Sequence, residues 1–86
     1  MKVIYKYTLE VTDEQEVKMP AGAQILCVQV QHGRPTLWAL VDPEKKLEDR
    51  RFFVHGTGNP IHSDAKVKCY IGTVQINGFV WHVFEM

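Results

Sequence analysis

The sequence has no excess of charge of either sign. Its 86 residues contain ten Lys and Arg residues against ten Asp and Glu residues, so the formal net charge at pH 7 is zero. Proteins that bind nucleic acid usually carry a basic stripe or a strongly basic domain, because they must neutralise phosphates. We therefore expect no DNA or RNA partner.

Long hydrophobic runs are also missing. No apolar stretch approaches the roughly twenty residues that a helix needs to span a bilayer. Lys2 and Lys6 interrupt the apolar side chains of the first residues, which does not suit the apolar segment of a signal peptide. The sequence predicts no membrane association and no secretory leader, and it favours a cytoplasmic protein.

Cysteine is scarce. The chain has two cysteines, Cys27 and Cys69, and each lies within a predicted strand. Small secreted scaffolds normally carry several disulfide bridges, whereas a free cysteine often behaves as a small buried hydrophobe. We expect two reduced thiols in a cytosol. A disulfide between strands stays an alternative, because spacing in sequence does not show whether the two Cβ atoms meet.

What the sequence does contain is a strong hairpin signal near its end. Two runs of alternating apolar and polar residues, 67–76 and 79–84, flank Asn77-Gly78. A type I′ turn needs positive φ at both central positions, and Asn-Gly supplies it at low cost. Counting outward from this turn predicts that Cys69 pairs near Glu85 or Met86 and that His82 pairs near Thr73.

Shorter alternating runs extend the β pattern through the rest of the chain. Residues 3–11 alternate with period two, and residues 36–41 are apolar on both faces, which is typical of a central strand covered on both sides. In residues 23–31, alternation places Ile25 and Cys27 on one face and Leu26, Val28 and Val30 on the other. Asp42-Pro43-Glu44 resembles a helix start, with Asp as N-cap and Pro in the first turn.

These elements predict one domain covering residues 1–86. About seven short strands with at most one short helical turn indicate an all-β fold. Because the connections are short, we expect a compact antiparallel meander that forms a roll, barrel or sandwich.

The densest polar segment is a loop at residues 55–64. Exposed amides in a glycine turn can bind an anion, so a small-molecule or nucleotide site is one interpretation. A dinucleotide fingerprint, however, requires G-x-G-x-x-G leading into a helix, and here the glycines lead to Pro60. We favour a structural loop, and we retain its polar residues as binding candidates: His55, Gly56, Thr57, Gly58, Asn59, His62 and Asp64.

Chemistry that needs a metal or a nucleophile has little support. The spacing of His55, His62 and Asp64 matches no familiar metal motif, so we expect no metal and no cofactor. Cys69 and His82 lie on opposite arms of the predicted hairpin but several residues out of register. We therefore expect no enzyme activity.

Aromatic residues are first of all candidates for the core. A small β domain has few layers in which to bury them, so Tyr7, Trp38, Phe53 and Trp81 are candidates for an exposed patch of the kind found in interfaces. Trp38 and Trp81 therefore join the candidate binding residues. Unpaired edge strands also favour a homodimer.

Several short motifs together resemble a family of short uncharacterised proteins encoded by tailed bacteriophages and prophages. The motifs span nearly the whole chain and lie at residues 4–7, 19–31, 37–43, 56–61, 70–75 and 81–85. The resemblance implies a phage gene product in the cytosol of a bacterial host, and it transfers no catalytic residues. The expected function is a non-enzymatic accessory protein that binds a host or phage protein. A small-molecule binder or enzyme using the 55–64 loop and a minor virion or assembly component are the alternatives.

Overall fold

The computed structural model describes residues 1–86 as seven β-strands joined by turns and loops. The all-β fold class and the number of strands predicted from the sequence are confirmed. None of its elements is a helix of the length and apolarity that a membrane span requires. The strands are β1 (Val3–Thr8), β2 (Gln15–Pro20), β3 (Gln24–Gln31), β4 (Arg34–Val41), β5 (Leu47–Gly56), β6 (Cys69–Ile76) and β7 (Phe79–Glu85).

The strands form two antiparallel sheets that enclose one core. The three-stranded sheet has the order β1-β4-β3, and the four-stranded sheet has the order β2-β5-β7-β6. This order departs from the simple meander that the short connections suggested, because β1 pairs with β4 instead of β2. The bend after β1 explains the difference. The Gln15 side chain bonds to the amide and carbonyl of Glu10 at 2.9 and 2.7 Å, and Val54 N–H donates to Thr12 O at 3.1 Å, so the chain passes to the other sheet.

The core is formed by alternate side chains of both sheets. Gly72 marks a close approach between them, because a Cβ at this position would lie 2.8 Å from Cγ1 of Val28. β4 is the middle strand of its sheet, as predicted from its apolar composition, but it is not covered on both sides, because Trp38 and Leu40 on its outer side are only half-buried. The buried cluster comprises Leu9, Met19, Ala23, Val28, Leu37, Ala39, Val41, Phe52, Val54, Val74 and Val83.

Two local predictions were wrong. The segment beginning at Asp42 is a turn and not a helix: Glu44 N–H donates to Asp42 Oδ1 at 3.1 Å, and Lys45 N–H donates to Asp42 O at 3.0 Å. In β3 the register shifts between Ile25 and Cys27, and this bulge reverses the alternation. Ile25 and Val28 therefore both belong to the core side, whereas Cys27 lies opposite Trp38 on the outer side.

The C-terminal hairpin is confirmed. Asn77 and Gly78 have φ values of 51° and 82°, as a type I′ turn requires. The pairing of β6 with β7 places Cys69 opposite Glu85 and Thr73 opposite His82, as predicted. Both cysteines are free thiols.

A charged pair stands at one end of the core. Arg50 Nη2 donates to Glu85 Oε1 at 2.9 Å, and Arg50 Nη1 donates to the carbonyl of Ala23 at 2.8 Å. The hydrogen bond to Glu85 raises the pKa of the Arg50 guanidinium. Because Ala23 leads into β3, this arginine connects the two sheets.

Candidate functional site

Aromatic side chains cover the outer face of the four-stranded sheet. Phe52 and Val54 of β5 point into the core, so Phe53 and His55 between and beyond them point outward. The Phe53 ring stacks on Phe84 of β7 with a centroid distance of 4.8 Å and an interplanar angle of 12°. We call the outward side chains of this region the covered face; its members are Phe53, His55, Tyr70, His82 and Phe84.

This face is called covered because the β5–β6 loop, residues 57–68, lies over part of it. Phe53 is only 3% exposed, although it points away from the core. The sequence made Phe53 a candidate for an exposed aromatic patch, and this prediction is wrong. Pro60, Ile61 and Ala65 of the loop line a cleft of about 380 Å³ together with Phe53. We call this the loop cleft.

The rim of the loop cleft is acidic. Asp13 and Glu14, which follow β1, and His62 of the loop line its mouth. Glu14 forms an ion pair with Arg51 at 3.1 Å, and His62 pairs with Asp64, whereas Asp13 has no ion-pair partner. The cleft therefore combines an apolar floor with one unneutralised carboxylate at its edge.

A smaller cleft of about 210 Å³ brings together most of the predicted binding residues. It is lined by His55, Gly56, Thr57, Gly58, Asn59, Ile61, His82 and Phe84. Thr57 Oγ1 lies 2.7 Å from His82 Nε2, and Thr73 Oγ1 lies 3.1 Å from His82 Nδ1. The Tyr70 hydroxyl contacts Thr73 Oγ1 in turn. These contacts attach the start of the β5–β6 loop to β6 and β7.

The chemistry of this network is limited. A hydroxyl nucleophile needs a base that is oriented by a third group, most often a carboxylate. Thr57 and His82 have the required contact, but the group at the second ring nitrogen is the neutral hydroxyl of Thr73. The arrangement therefore braces the loop. The sequence predicted that His82 pairs with Thr73 but not that His82 also contacts Thr57 of the loop.

The remaining predicted residues are dispersed. Trp81 lines a third cleft of about 470 Å³, together with Gly56, Thr57, Asn59 and Phe79. A Cβ at Gly56 would lie 2.9 Å from Asn59 Nδ2 and 3.2 Å from Trp81 Cζ3, so this glycine permits the loop to approach the indole. Trp38 lies in the other sheet, opposite Lys6 and Cys27, and takes no part in these clefts.

The sequence made the same loop a candidate for binding a metal or an anion. No group of three or more His, Cys, Asp or Glu side chains is arranged to hold a metal ion. His62 and Asp64 contact each other, but both side chains are strongly exposed and His55 faces Phe53 instead. Of the two glycines flanking Thr57, only Gly58 has positive φ, at 87°.

Comparison with known families covers the whole chain. A family model described as "Domain of unknown function (DUF7352)" matches residues 1–86. The chain belongs to this family. Neither the curated proteins nor the solved structures gave a match.

Proposed function

We propose that this DUF7352 protein is a non-enzymatic protein-binding module whose loop cleft receives an extended segment of a partner protein. The observation that carries the proposal is the composition of that cleft. Phe53 and Ile61 give it an apolar floor and wall, and Asp13 adds a carboxylate without an ion-pair partner at its mouth. An apolar anchor next to a Lys or Arg side chain is the partner chemistry that fits.

The dimensions of the loop cleft also support a peptide ligand. Its volume of about 380 Å³ is near the lower end of the range for ligand clefts. Small-molecule sites bury most of their ligand and aim several polar groups at it. Here the polar groups Asp13, Glu14 and His62 stand on the rim. This arrangement suits a peptide that inserts one side chain into the cleft while its backbone continues past it.

The braced position of His82 supports a binding role over catalysis. Both of its ring nitrogens already contact threonine hydroxyls, so its side chain is engaged in holding the loop. The resemblance to phage-encoded proteins favours a host or phage protein in the bacterial cytosol as the partner.

The proposal is tested by selecting peptides that bind the purified protein from a random display library. We expect selected peptides to share an apolar anchor and a neighbouring basic residue. Ile61→Asp should weaken their binding about tenfold or more, because it places a charge in the otherwise apolar part of the cleft.

A matched control lies in the same loop. Ile61 is 41% exposed and Val67 is 44% exposed, but Val67 does not line the loop cleft. Val67→Asp should therefore leave binding unchanged. Peptides that bind the Ile61→Asp and Val67→Asp proteins equally well, or a library that yields no binder, would contradict the proposal.

A further inference from the structure

The four edge strands of the two sheets differ in how they are protected against pairing with another chain. Natural edges are blunted by charges, prolines, bulges or covering segments. β2 alternates Glu16 and Lys18 with apolar residues and ends at Pro20. β3 and β6 each contain a bulge, and their bulged regions lie beside each other where Val28 meets Gly72. These three edges are therefore poor templates for a further strand.

Of these features, β1 has only a charge, that of Lys6. Its six residues pair with β4 in continuous register, without a bulge and without a proline. Three successive apolar side chains are exposed along it: Val3 at 39%, Ile4 at 60% and Tyr5 at 44%. Val3 and Tyr5 are inward positions whose neighbours on β4, Val41 and Ala39, are buried, so their exposure belongs to the edge itself, whereas Ile4 lies on the outer side of the sheet.

Lys6 does not protect this edge. A lysine on an edge strand usually keeps its charge at the open side, where a second strand would have to bury it. Here Lys6 Nζ donates to Gln31 Oε1 at 2.6 Å. Because Gln31 lies on β3, beyond β4, the Lys6 side chain lies along the outer face of the sheet and leaves the backbone groups of the open edge uncovered.

We infer that β1 is the interface with a second copy of this chain, paired antiparallel across a two-fold axis at Tyr5. The two three-stranded sheets then become one six-stranded sheet with the order β3-β4-β1-β1-β4-β3. The proposal is independent of the loop cleft, which lies on the other sheet.

Symmetry and charge together restrict the register. A two-fold axis normal to the sheet places inward side chains opposite inward ones, so the axis must pass through a residue position. An axis at Tyr5 places Tyr5 opposite Tyr5 and Val3 opposite Tyr7, which forms an apolar row. It also places Ile4 opposite Lys6. An axis at Lys6 would place two lysines opposite each other, and like charges in that position are destabilising.

The expected dimer is weak. Pairing of one short strand buries less than the roughly 1,200 Å² of a stable interface, so we expect dissociation at micromolar concentrations. A net charge of zero means that the two copies do not repel each other through their overall charge.

The test is sedimentation equilibrium of the full chain over a range from a few to several hundred micromolar, with two opposite charges introduced at one position. Ile4→Lys places a lysine opposite Lys6 of the second copy, and symmetry makes this contact occur twice. We expect the dimer dissociation constant to rise about tenfold. Ile4→Glu places a carboxylate opposite the same lysine, so the dimer should be retained within about threefold.

Two further variants separate the interface from folding. The double variant Ile4→Lys with Lys6→Glu should recover the dimer, and Val67→Lys, at an exposed position outside the strands, should leave it unchanged. Circular dichroism checks that each variant is folded. A monomer mass at the highest concentration, a dimer that Ile4→Lys leaves intact, or equal losses for Ile4→Lys and Ile4→Glu would each overturn the inference.

Discussion

The outer faces of the two sheets are built from similar strands but differ in how far their most buried aromatic or aliphatic side chain is covered. On the covered face, the β5–β6 loop encloses Phe53, which is 3% exposed. On the outer face of the three-stranded sheet, which we call the open face, Ile4 is 60% exposed and Trp38 and Leu40 are half-buried. The β5–β6 loop contributes residues to all three clefts of this protein, together with strands β5 and β7 and the bend after β1.

The two faces also have different hydrogen bonds. His82 on the covered face joins β7 to Thr57 of the loop and to Thr73 of β6. On the open face, Lys6 reaches only to Gln31 of the same sheet. The side chains of the covered face therefore bond to the β5–β6 loop, whereas no loop lies over the open face, which borders the unprotected edge strand β1.

The largest expected difference between the two faces is in the free energy of unfolding lost when one apolar side chain on each face is replaced. Phe53→Ala removes a ring that stacks on Phe84 and is enclosed by the loop, so we expect a loss of about 3 kcal/mol in the free energy of unfolding. Ile4→Ala on the open face should change it by less than about 0.5 kcal/mol. Urea unfolding followed by tryptophan fluorescence, at low protein concentration, measures both. Equal losses would mean that the loop does not bury the covered face.

A smaller effect is expected from the brace of the loop. Thr57→Val keeps the shape of the side chain but removes the contact with His82, which should cost about 0.5 to 1 kcal/mol. Hydrogen exchange at the Thr57 amide, which donates to Val80 O at 3.1 Å, should become faster. Thr8→Val, at an exposed position of β1, is the control and should change neither quantity. Unchanged exchange in the Thr57→Val protein would show that His82 does not hold the loop.

The smallest expected effect is that of small ligands on the covered face. A ligand that binds only the folded state raises its apparent stability by about 2.7 kcal/mol at one hundred times its dissociation constant. We expect zinc, magnesium and common nucleotides to leave the melting temperature unchanged. A rise with one of them that is lost when His55 and His62 are both replaced by Ala would favour the small-molecule alternative over protein binding.

Sequence reasoning succeeded where the determinants are local. Asn77-Gly78 specifies its own turn, and the alternation beside it was sufficient to pair Cys69 with Glu85 and Thr73 with His82. It failed where one extra residue shifts the alternation of inward and outward side chains. The bulge at Leu26 places Cys27 on the outer side, and nothing in the neighbouring sequence predicts this bulge.

The candidate site could be predicted only in part. Composition identified the loop residues that surround His82. It did not identify Asp13 and it predicted that Phe53 is exposed, because the bend after β1 and the pairing of β5 with β7 bring together residues that are distant in sequence. Trp38 was grouped with them for its residue type, which carries no information about the sheet to which a strand belongs.

The central claim is that partners bind the covered face at the loop cleft. Amide chemical-shift mapping with a selected peptide on isotope-labelled protein tests it most directly. We predict that the largest shifts occur at Asp13, Phe53, His55 and Ile61, with little change on β1 and β4. Shifts concentrated on Ile4, Trp38 and Leu40 would contradict the claim, because they would place the binding site on the open face.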